Sequence, residues 1–266
     1  MTKPFSVYYH IYLTEHCNWV ELLVNQFAAA LDAQVLQQAR LFSVTAIGAP
    51  EDKAKIAGLL DAYSALMPTP PELVWYDKQF DDAALQYINE LPSKLDETLT
   101  LNRLWERARN SEADEAVLYF HAKSVTALQK TILKEKDYAV YINYVHWRRF
   151  LEWSVLERAS TCRQLLETHD TVGANYCVWP SPHYSGNFWW ANTSYIKELP
   201  NPQTADWFYR LSADYPILKI SPIRMRGELW IGAKDRAKMA SLFNHPHPPP
   251  EGNLGEEYIP RNMYAR

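Results

Sequence analysis

Apolar, strand-like segments alternate with segments of helical periodicity through residues 1–125 of the chain. The predicted strands cover residues 5–13, 42–47, 72–76 and 116–120, and the predicted helices cover residues 19–31, 51–66 and 95–109. This alternation is typical of an α/β domain whose mostly parallel central sheet is flanked by helices. Such sheets bind ligands at the carboxyl ends of their strands, and His121 and Lys123 come directly at one such end.

The second half of the chain has a less regular pattern. Residues 138–168 show a long helical periodicity rich in Tyr and Trp. The remaining predicted elements are strands at 172–178 and 187–191, a helix at 206–211, a short segment at 226–232 and a helix at 234–243. We expect one domain over residues 1–244 and an extended, proline-rich arm over residues 245–266.

The composition excludes several classes of protein. A formal net charge of −4 argues against a general nucleic-acid binder, which normally presents a basic face. The sequence has neither a long apolar run nor a signal peptide, so we expect a cytoplasmic protein. With only 8 glycines, the chain has no glycine-rich phosphate loop, and any nucleotide must be held without one.

Residues 183–191, His-Tyr-Ser-Gly-Asn-Phe-Trp-Trp-Ala, combine imidazole, hydroxyl and amide groups with two adjacent indoles. Adjacent residues of a strand point to opposite faces, so one buried face cannot contain both Trp189 and Trp190. A flat aromatic surface beside hydrogen-bonding groups suits a sugar ring. The alternative interpretation is an aromatic core strand between two turns, since Trp is usually heavily buried.

Several blocks of this sequence occur together in one known family. They are YYHIYL at 8–13, VLYFHAKSV at 117–125, HDTVGANY at 169–176, HYSGNFWWANTSYIKELP at 183–200 and, more weakly, RGELWIG at 226–232. In these blocks the chain resembles glycosyltransferase-like proteins of bacterial surface-polysaccharide clusters and large algal viruses. That family usually has Thr and Gly where this chain has Ala122 and Ser124.

The resemblance implies a single GT-A-like domain with a nucleotide-sugar half over residues 1–125 and an acceptor half over residues 126–244. The implied activity is transfer of a hexosyl or deoxyhexosyl group from a nucleoside-diphosphate sugar to a glycan hydroxyl. We expect inversion at the anomeric carbon, and the sequence leaves retention open as the alternative. A lipid-linked acceptor would bring the protein to the inner face of the membrane as a peripheral protein. The sequence does not indicate the oligomeric state of the protein.

The departing diphosphate must be neutralised in such a reaction. GT-A enzymes usually do this with an Asp-x-Asp pair that holds Mn²⁺ or Mg²⁺ at the end of the fourth strand. Here that strand ends in His121-Ala122-Lys123, whose imidazole and ammonium groups can neutralise the diphosphate directly. We assign Ser124 and Tyr8 to the same donor site. Alternatively, His121 is one ligand of a divalent metal, which the sequence does not require, or both groups are merely structural.

An inverting enzyme also needs a carboxylate that takes the proton of the attacking hydroxyl. Glu228, in a Gly-flanked turn, is the first candidate and Asp170 is the second, although each can instead be a helix cap or an ion-pair partner.

The acceptor segment supplies the remaining candidates. We expect His183, Ser185 and Asn187 to bind donor-sugar or acceptor hydroxyls, with Trp189 or Trp190 as the stacking surface and the other indole in the core. A non-catalytic carbohydrate-binding protein and a nucleotide-sugar hydrolase are the competing functions.

Overall fold

The computed structural model describes residues 3–13, 18–78, 96–122, 138–178, 181–204, 206–214 and 225–243. Lys123, Ser124 and the predicted arm over residues 245–266 lie outside these residues. The strands are β1 Phe5–Tyr12, β2 Leu41–Gly48, β3 Glu72–Asp77, β4 Ala116–His121, β5 Thr171–Gly173, β6 Tyr176–Cys177, β7 His183–Tyr184, β8 Trp189–Asn192 and β9 Met239–Ser241.

Helices of very different length connect these strands. They are α1 Trp19–Asp32, α2 Val35–Gln38, α3 Pro50–Ser64, α4 Thr98–Asn110, α5 Tyr138–Glu152, α6 Ala159–Leu165, α7 Thr193–Ile196, α8 Asp206–Asp214 and α9 Arg226–Leu229. A π-helical segment, Trp153–Glu157, follows α5, and a 3₁₀ turn, Trp230–Gly232, follows α9. Asn18 caps α1, because its Oδ1 accepts a 3.2 Å hydrogen bond from the Glu21 backbone N–H.

A seven-stranded mixed sheet forms the centre of the fold, in the order β3-β2-β1-β4-β8-β5-β9. β1 pairs in parallel with both β2 and β4, and β2 pairs in parallel with β3. β8 runs antiparallel to β4 and β5, and β9 is parallel to β5. The predicted α/β class with a mostly parallel sheet is therefore confirmed.

Both faces of the sheet are covered, which explains why its central strands are apolar at nearly every position. Phe27 of α1, Ile56 of α3 and Leu151 of α5 belong to the core on one face. Leu104 of α4 and Trp230 belong to the core on the other face. Within the described ranges, no helix has both the length and the apolar character that a membrane crossing requires.

The helix predicted over residues 234–243 is wrong. Its Ala, Lys and Met residues have good helix propensity, but Arg236 takes a left-handed conformation with φ 59° and residues 239–241 form β9. Hydrogen bonding to β5 explains the difference, because the Asp170 N–H donates to the Lys238 carbonyl over 2.8 Å and β9 continues this pairing. Tertiary pairing overrides local propensity here.

Candidate functional site

The carboxyl ends of β1 and β4 bring two histidines side by side. His10 and His121 are register partners, and the Ala122 N–H donates to the His10 carbonyl over 2.9 Å. His10 Nδ1 lies 2.9 Å from Thr100 Oγ1 on α4. Burial lowers the pKa of His10 to about 3, so this imidazole is neutral at neutral pH. The sequence analysis did not identify His10, although a histidine inside an otherwise apolar strand was a usable signal.

A tight turn over residues 184–187 lies against this strand end. The Asn187 N–H donates to the Tyr184 carbonyl over 2.9 Å, and Gly186 has φ 93°. A positive φ at the third residue of such a turn is characteristic of type II and favours glycine. A Cβ at Gly186 would also overlap Leu151 of α5. The backbone conformation therefore favours the glycine of the His-Tyr-Ser-Gly-Asn block, and the Leu151 side chain leaves little room for a larger residue.

The peptide groups of Gly186 connect two of the predicted site residues. Its N–H donates to Glu228 Oε1 over 2.8 Å, and its carbonyl lies 3.1 Å from His121 Nε2. A carbonyl only accepts, so His121 Nε2 must carry the hydrogen in this contact. The His121 imidazole and the Glu228 carboxylate are thus hydrogen-bonded to the same residue of the turn.

A second carboxylate, Glu97 at the start of α4, contacts the same turn. Its Oε2 accepts hydrogen bonds from the Tyr119 hydroxyl over 3.0 Å and from Asn187 Nδ2 over 2.9 Å. Asn187 Oδ1 in turn accepts the indole N–H of Trp189 over 2.7 Å. The sequence analysis missed Glu97, because an acidic residue at a predicted helix start is common without any functional role.

A buried guanidinium lies behind the carboxylates. Arg226, 2% exposed, donates to the Gln203 carbonyl over 3.0 Å and forms a 3.7 Å ion pair with Asp96. Burial raises the pKa of Asp96, while the hydrogen bonds from Thr98 and the charge of Arg226 act in the lowering direction. This ion pair joins α9, which carries Glu228, to the residues just before α4, which include Glu97.

The opposite face of the strand end is held by another buried polar group. Gln26 Nε2 on α1 lies 3.3 Å from the His121 carbonyl and 2.8 Å from Glu152 Oε1. Arg148 pairs with the same Glu152 oxygen at 3.3 Å. Burial raises the pKa of Glu152, and Arg148 acts in the lowering direction. The end of β4 is therefore held through both its side chain and its carbonyl.

Of the predicted site residues, the structure brings together His121, Asn187 and Glu228. Ser185 belongs to the same turn and its N–H donates to the Asn175 carbonyl over 3.0 Å. His183 is buried in β7, with Nδ1 2.7 Å from the Ser181 carbonyl.

Tyr8 lies deeper in the sheet than the strand-end cluster. It pairs in register with Tyr119, two residues before the His10–His121 pair, and is 2% exposed. Burial raises the pKa of Tyr8, so its hydroxyl stays protonated.

The two adjacent indoles point to opposite faces, as expected, but neither face is open. Trp189 and Trp190 are both 0% exposed and belong to the two different cores. The Trp190 N–H donates to the Val155 carbonyl over 2.8 Å. The expectation that one indole offers a stacking surface therefore has no geometric support, because the sheet is covered on both sides.

Asp170 lies at the other end of the sheet from His121. The Asn192 N–H donates to the Asp170 carbonyl, and Asn192 is the register partner of Ala116, the first residue of β4. The Asp170 carboxylate accepts the Lys238 N–H over 2.8 Å. The structure thus separates Asp170 from the Glu228 cluster and gives it a role in holding β9.

The sequence analysis left open a metal role for His121. Among the residues that the structure describes, no group of three or more His, Cys, Asp or Glu side chains could hold a metal ion. Because His121 Nε2 is directed at the Gly186 carbonyl, coordination would have to use Nδ1.

Fold and site together define an α/β protein with a polar cluster at the carboxyl end of a mostly parallel sheet. The chain belongs to the family described as Domain of unknown function (DUF8361), whose family model matches residues 8–239. The matched range includes His10, Glu97, His121, Asn187 and Glu228. No curated protein matches the chain.

Proposed function

We propose that this protein is a GT-A-type glycosyltransferase that moves a sugar from a nucleoside-diphosphate sugar to a hydroxyl of a glycan acceptor. One observation carries the proposal: His121 and Glu228, expected to serve the two halves of the reaction, contact the carbonyl and the N–H of the same residue, Gly186. The cluster lies at the carboxyl ends of parallel strands, where α/β sheets bind their ligands.

In the proposed reaction, the acceptor hydroxyl oxygen attacks the anomeric carbon of the donor. The bond from that carbon to the diphosphate oxygen breaks, and the diphosphate leaves with the bonding electrons. Glu228 takes the hydroxyl proton as the general base. Lys123 and the imidazolium form of His121, in which Nδ1 also carries a hydrogen, stabilise the negative charge that develops on the diphosphate. This scheme uses residues of the chain alone, and Mn²⁺ or Mg²⁺ would supply additional charge stabilisation if bound.

One of the two competing functions is less well supported by the structure. A carbohydrate-binding protein built on the Trp189–Trp190 pair would need an exposed indole, and both are 0% exposed. A nucleotide-sugar hydrolase would use the same cluster with water in place of the acceptor. We further propose that a lipid-linked acceptor brings the protein to the inner face of the membrane.

Nucleoside diphosphate binding is the first test. We expect calorimetry to detect binding of at least one nucleoside diphosphate, because His121 lies at the ligand-binding end of the sheet. A panel of nucleotide sugars, with and without a glycan acceptor, should then release the diphosphate mainly when acceptor is present. Release without any need for acceptor would identify a hydrolase. A complete lack of binding at millimolar concentrations, with and without Mn²⁺, would contradict the proposal.

The second test concerns Lys123. We expect Lys123→Ala to weaken diphosphate binding by about 1.5–3 kcal/mol, the scale of a lost charge-assisted hydrogen bond. Lys55→Ala is the control, because Lys55 pairs with Asp52 on the exposed side of α3. If the strand end replaces a metal, EDTA should leave the transfer rate nearly unchanged. Loss of activity in EDTA that Mn²⁺ restores would show that a metal takes the diphosphate charge.

A further inference from the structure

Glu97 uses one carboxylate oxygen to connect three parts of the fold. Glu97 is the residue just before α4, and its Oε2 accepts hydrogen bonds from the Tyr119 hydroxyl of β4 and from Asn187 Nδ2 of the turn. An oxygen that already accepts two hydrogen bonds is a poor proton acceptor. This arrangement suits a group that fixes the position of its neighbours better than it suits a base.

The other oxygen of Glu97 fills the space above α9. A Cβ at Gly227 would overlap Glu97 Oε1, and the Glu97 side-chain carbons lie almost as close. Gly227 is helical, and its φ is not positive, so alanine would cause no backbone strain there. Gly227 therefore leaves room for the Glu97 side chain in its present position, whereas the backbone conformation does not call for glycine there.

These contacts lead to Gly186. Glu97 accepts a hydrogen bond from the side chain of Asn187, the next residue, and the Gly227 carbonyl of α9 accepts a second one from the same Nδ2 over 3.3 Å. Gly186 then holds both His121 and Glu228. We infer that Glu97 is a positioning residue that fixes the placement of His121 relative to Glu228 through the turn over residues 184–187. The inference rests on the proposed function for its catalytic consequence.

The Gln substitution separates positioning from proton transfer. In Glu97→Gln the amide oxygen can still accept both hydrogen bonds in place of Oε2, whereas the amide cannot take a proton. We expect Glu97→Gln to keep kcat within about threefold of wild type and Glu97→Ala to lower it roughly 10²-fold with little change in KM, the scale of a misplaced catalytic group. Glu106→Ala, on the exposed side of the same helix, is the matched control and should have no effect.

Gly227→Ala provides a double-mutant cycle. Alone, it should displace the Glu97 carboxylate and lower kcat about as much as Glu97→Ala, roughly 10²-fold. In the Glu97→Ala background the same substitution should cause no further loss, because the space it needs is empty. If Gly227→Ala alone does not fold, the double variant with Glu97→Ala should fold. That result would still identify Glu97 as the group that the alanine at position 227 displaces.

A readout independent of sugar transfer comes from ¹⁵N NMR of histidine-labelled protein, with the His121 signals assigned by their loss in His121→Gln. Wild type should show the tautomer protonated at Nε2. Glu97→Ala and Gly227→Ala should give mixed tautomers, and Glu97→Gln should not. A stabilising role alone would change the unfolding temperature without changing the tautomer.

Two results would overturn the inference. If Glu97→Gln is as inactive as Glu228→Gln, Glu97 is a proton-transferring group. If the His121 tautomer is unchanged in Glu97→Ala, Glu97 does not position the turn. If wild type transfers no sugar, the proposed function fails, and the NMR arm still decides whether Glu97 positions His121.

Discussion

Glu228→Gln is expected to lower turnover at least ~10²-fold while leaving donor binding unchanged, the effect typical of removing a general base. In the wild type the Gly186 N–H donates to Glu228 Oε1 over 2.8 Å, and the amide oxygen of Gln can still accept this hydrogen bond. The turn should therefore keep its position. The amide cannot take the acceptor proton. Initial rates of diphosphate release at saturating donor and acceptor measure the chemical step, and calorimetry with the nucleoside diphosphate measures binding.

Asp170→Asn is the matched control for Glu228→Gln. Its side-chain oxygen can still accept the Lys238 N–H, and Asp170 lies at the opposite end of β4 from His121. We expect nearly wild-type rates. An inactive but folded Asp170→Asn together with an active Glu228→Gln would instead identify Asp170 as the base. If both variants stay active, a retaining mechanism or the absence of catalysis becomes the better explanation.

The first half of the fold could be predicted from the sequence because its signals are local. β1, β2 and β4 are buried on both faces, so each forms a nearly continuous apolar segment with a clear end. The Asn18 cap and the periodicity of α1 are likewise contained within one helix.

The second half contains elements that depend on distant partners. β9 forms opposite β5 although residues 234–243 have helical propensity. The strand predicted over residues 172–178 is divided into β5 and β6, because Asn175 adopts φ 54° and its N–H donates to the Phe243 carbonyl over 2.9 Å. No local pattern specifies such pairing.

The site was predictable where a residue follows a recognisable element. His121 ends an apolar strand, and Asn187 and Glu228 belong to distinctive blocks. Glu97 could not be identified in this way, because its partners Tyr119 and Asn187 are distant in sequence and meet it only in the folded sheet. The sequence contains one related feature, which is the glycine at position 227. Its connection with Glu97 is visible only in the structure, where a Cβ at Gly227 would overlap the Glu97 carboxylate.

The adjacent indoles show how an argument from strand geometry can be correct and still incomplete. Trp189 and Trp190 do point to opposite faces, which excludes a single shared core. The sequence did not reveal that α5 and the π-helical segment cover one face while α4 and α9 cover the other. Each indole therefore serves as a core residue, and this role has a measurable consequence.

Trp190→Ala is expected to reduce the free energy of unfolding by roughly 3–5 kcal/mol, the usual cost of truncating a fully buried aromatic side chain. Trp190 is 0% exposed, meets the ring of Phe5 edge-on at 5.2 Å and donates its indole N–H to the Val155 carbonyl. Truncation removes this packing and leaves the carbonyl without its donor. The loss is a large part of the roughly 5–15 kcal/mol that stabilises a typical domain.

Urea unfolding of Trp190→Ala should show a lower midpoint than unfolding of the wild type. The control is Tyr209→Ala, which truncates an aromatic residue that is 56% exposed and should change the midpoint little. A loss below about 1 kcal/mol together with weakened sugar binding would mean that Trp190 is an exposed stacking surface and that its place in the core is wrong.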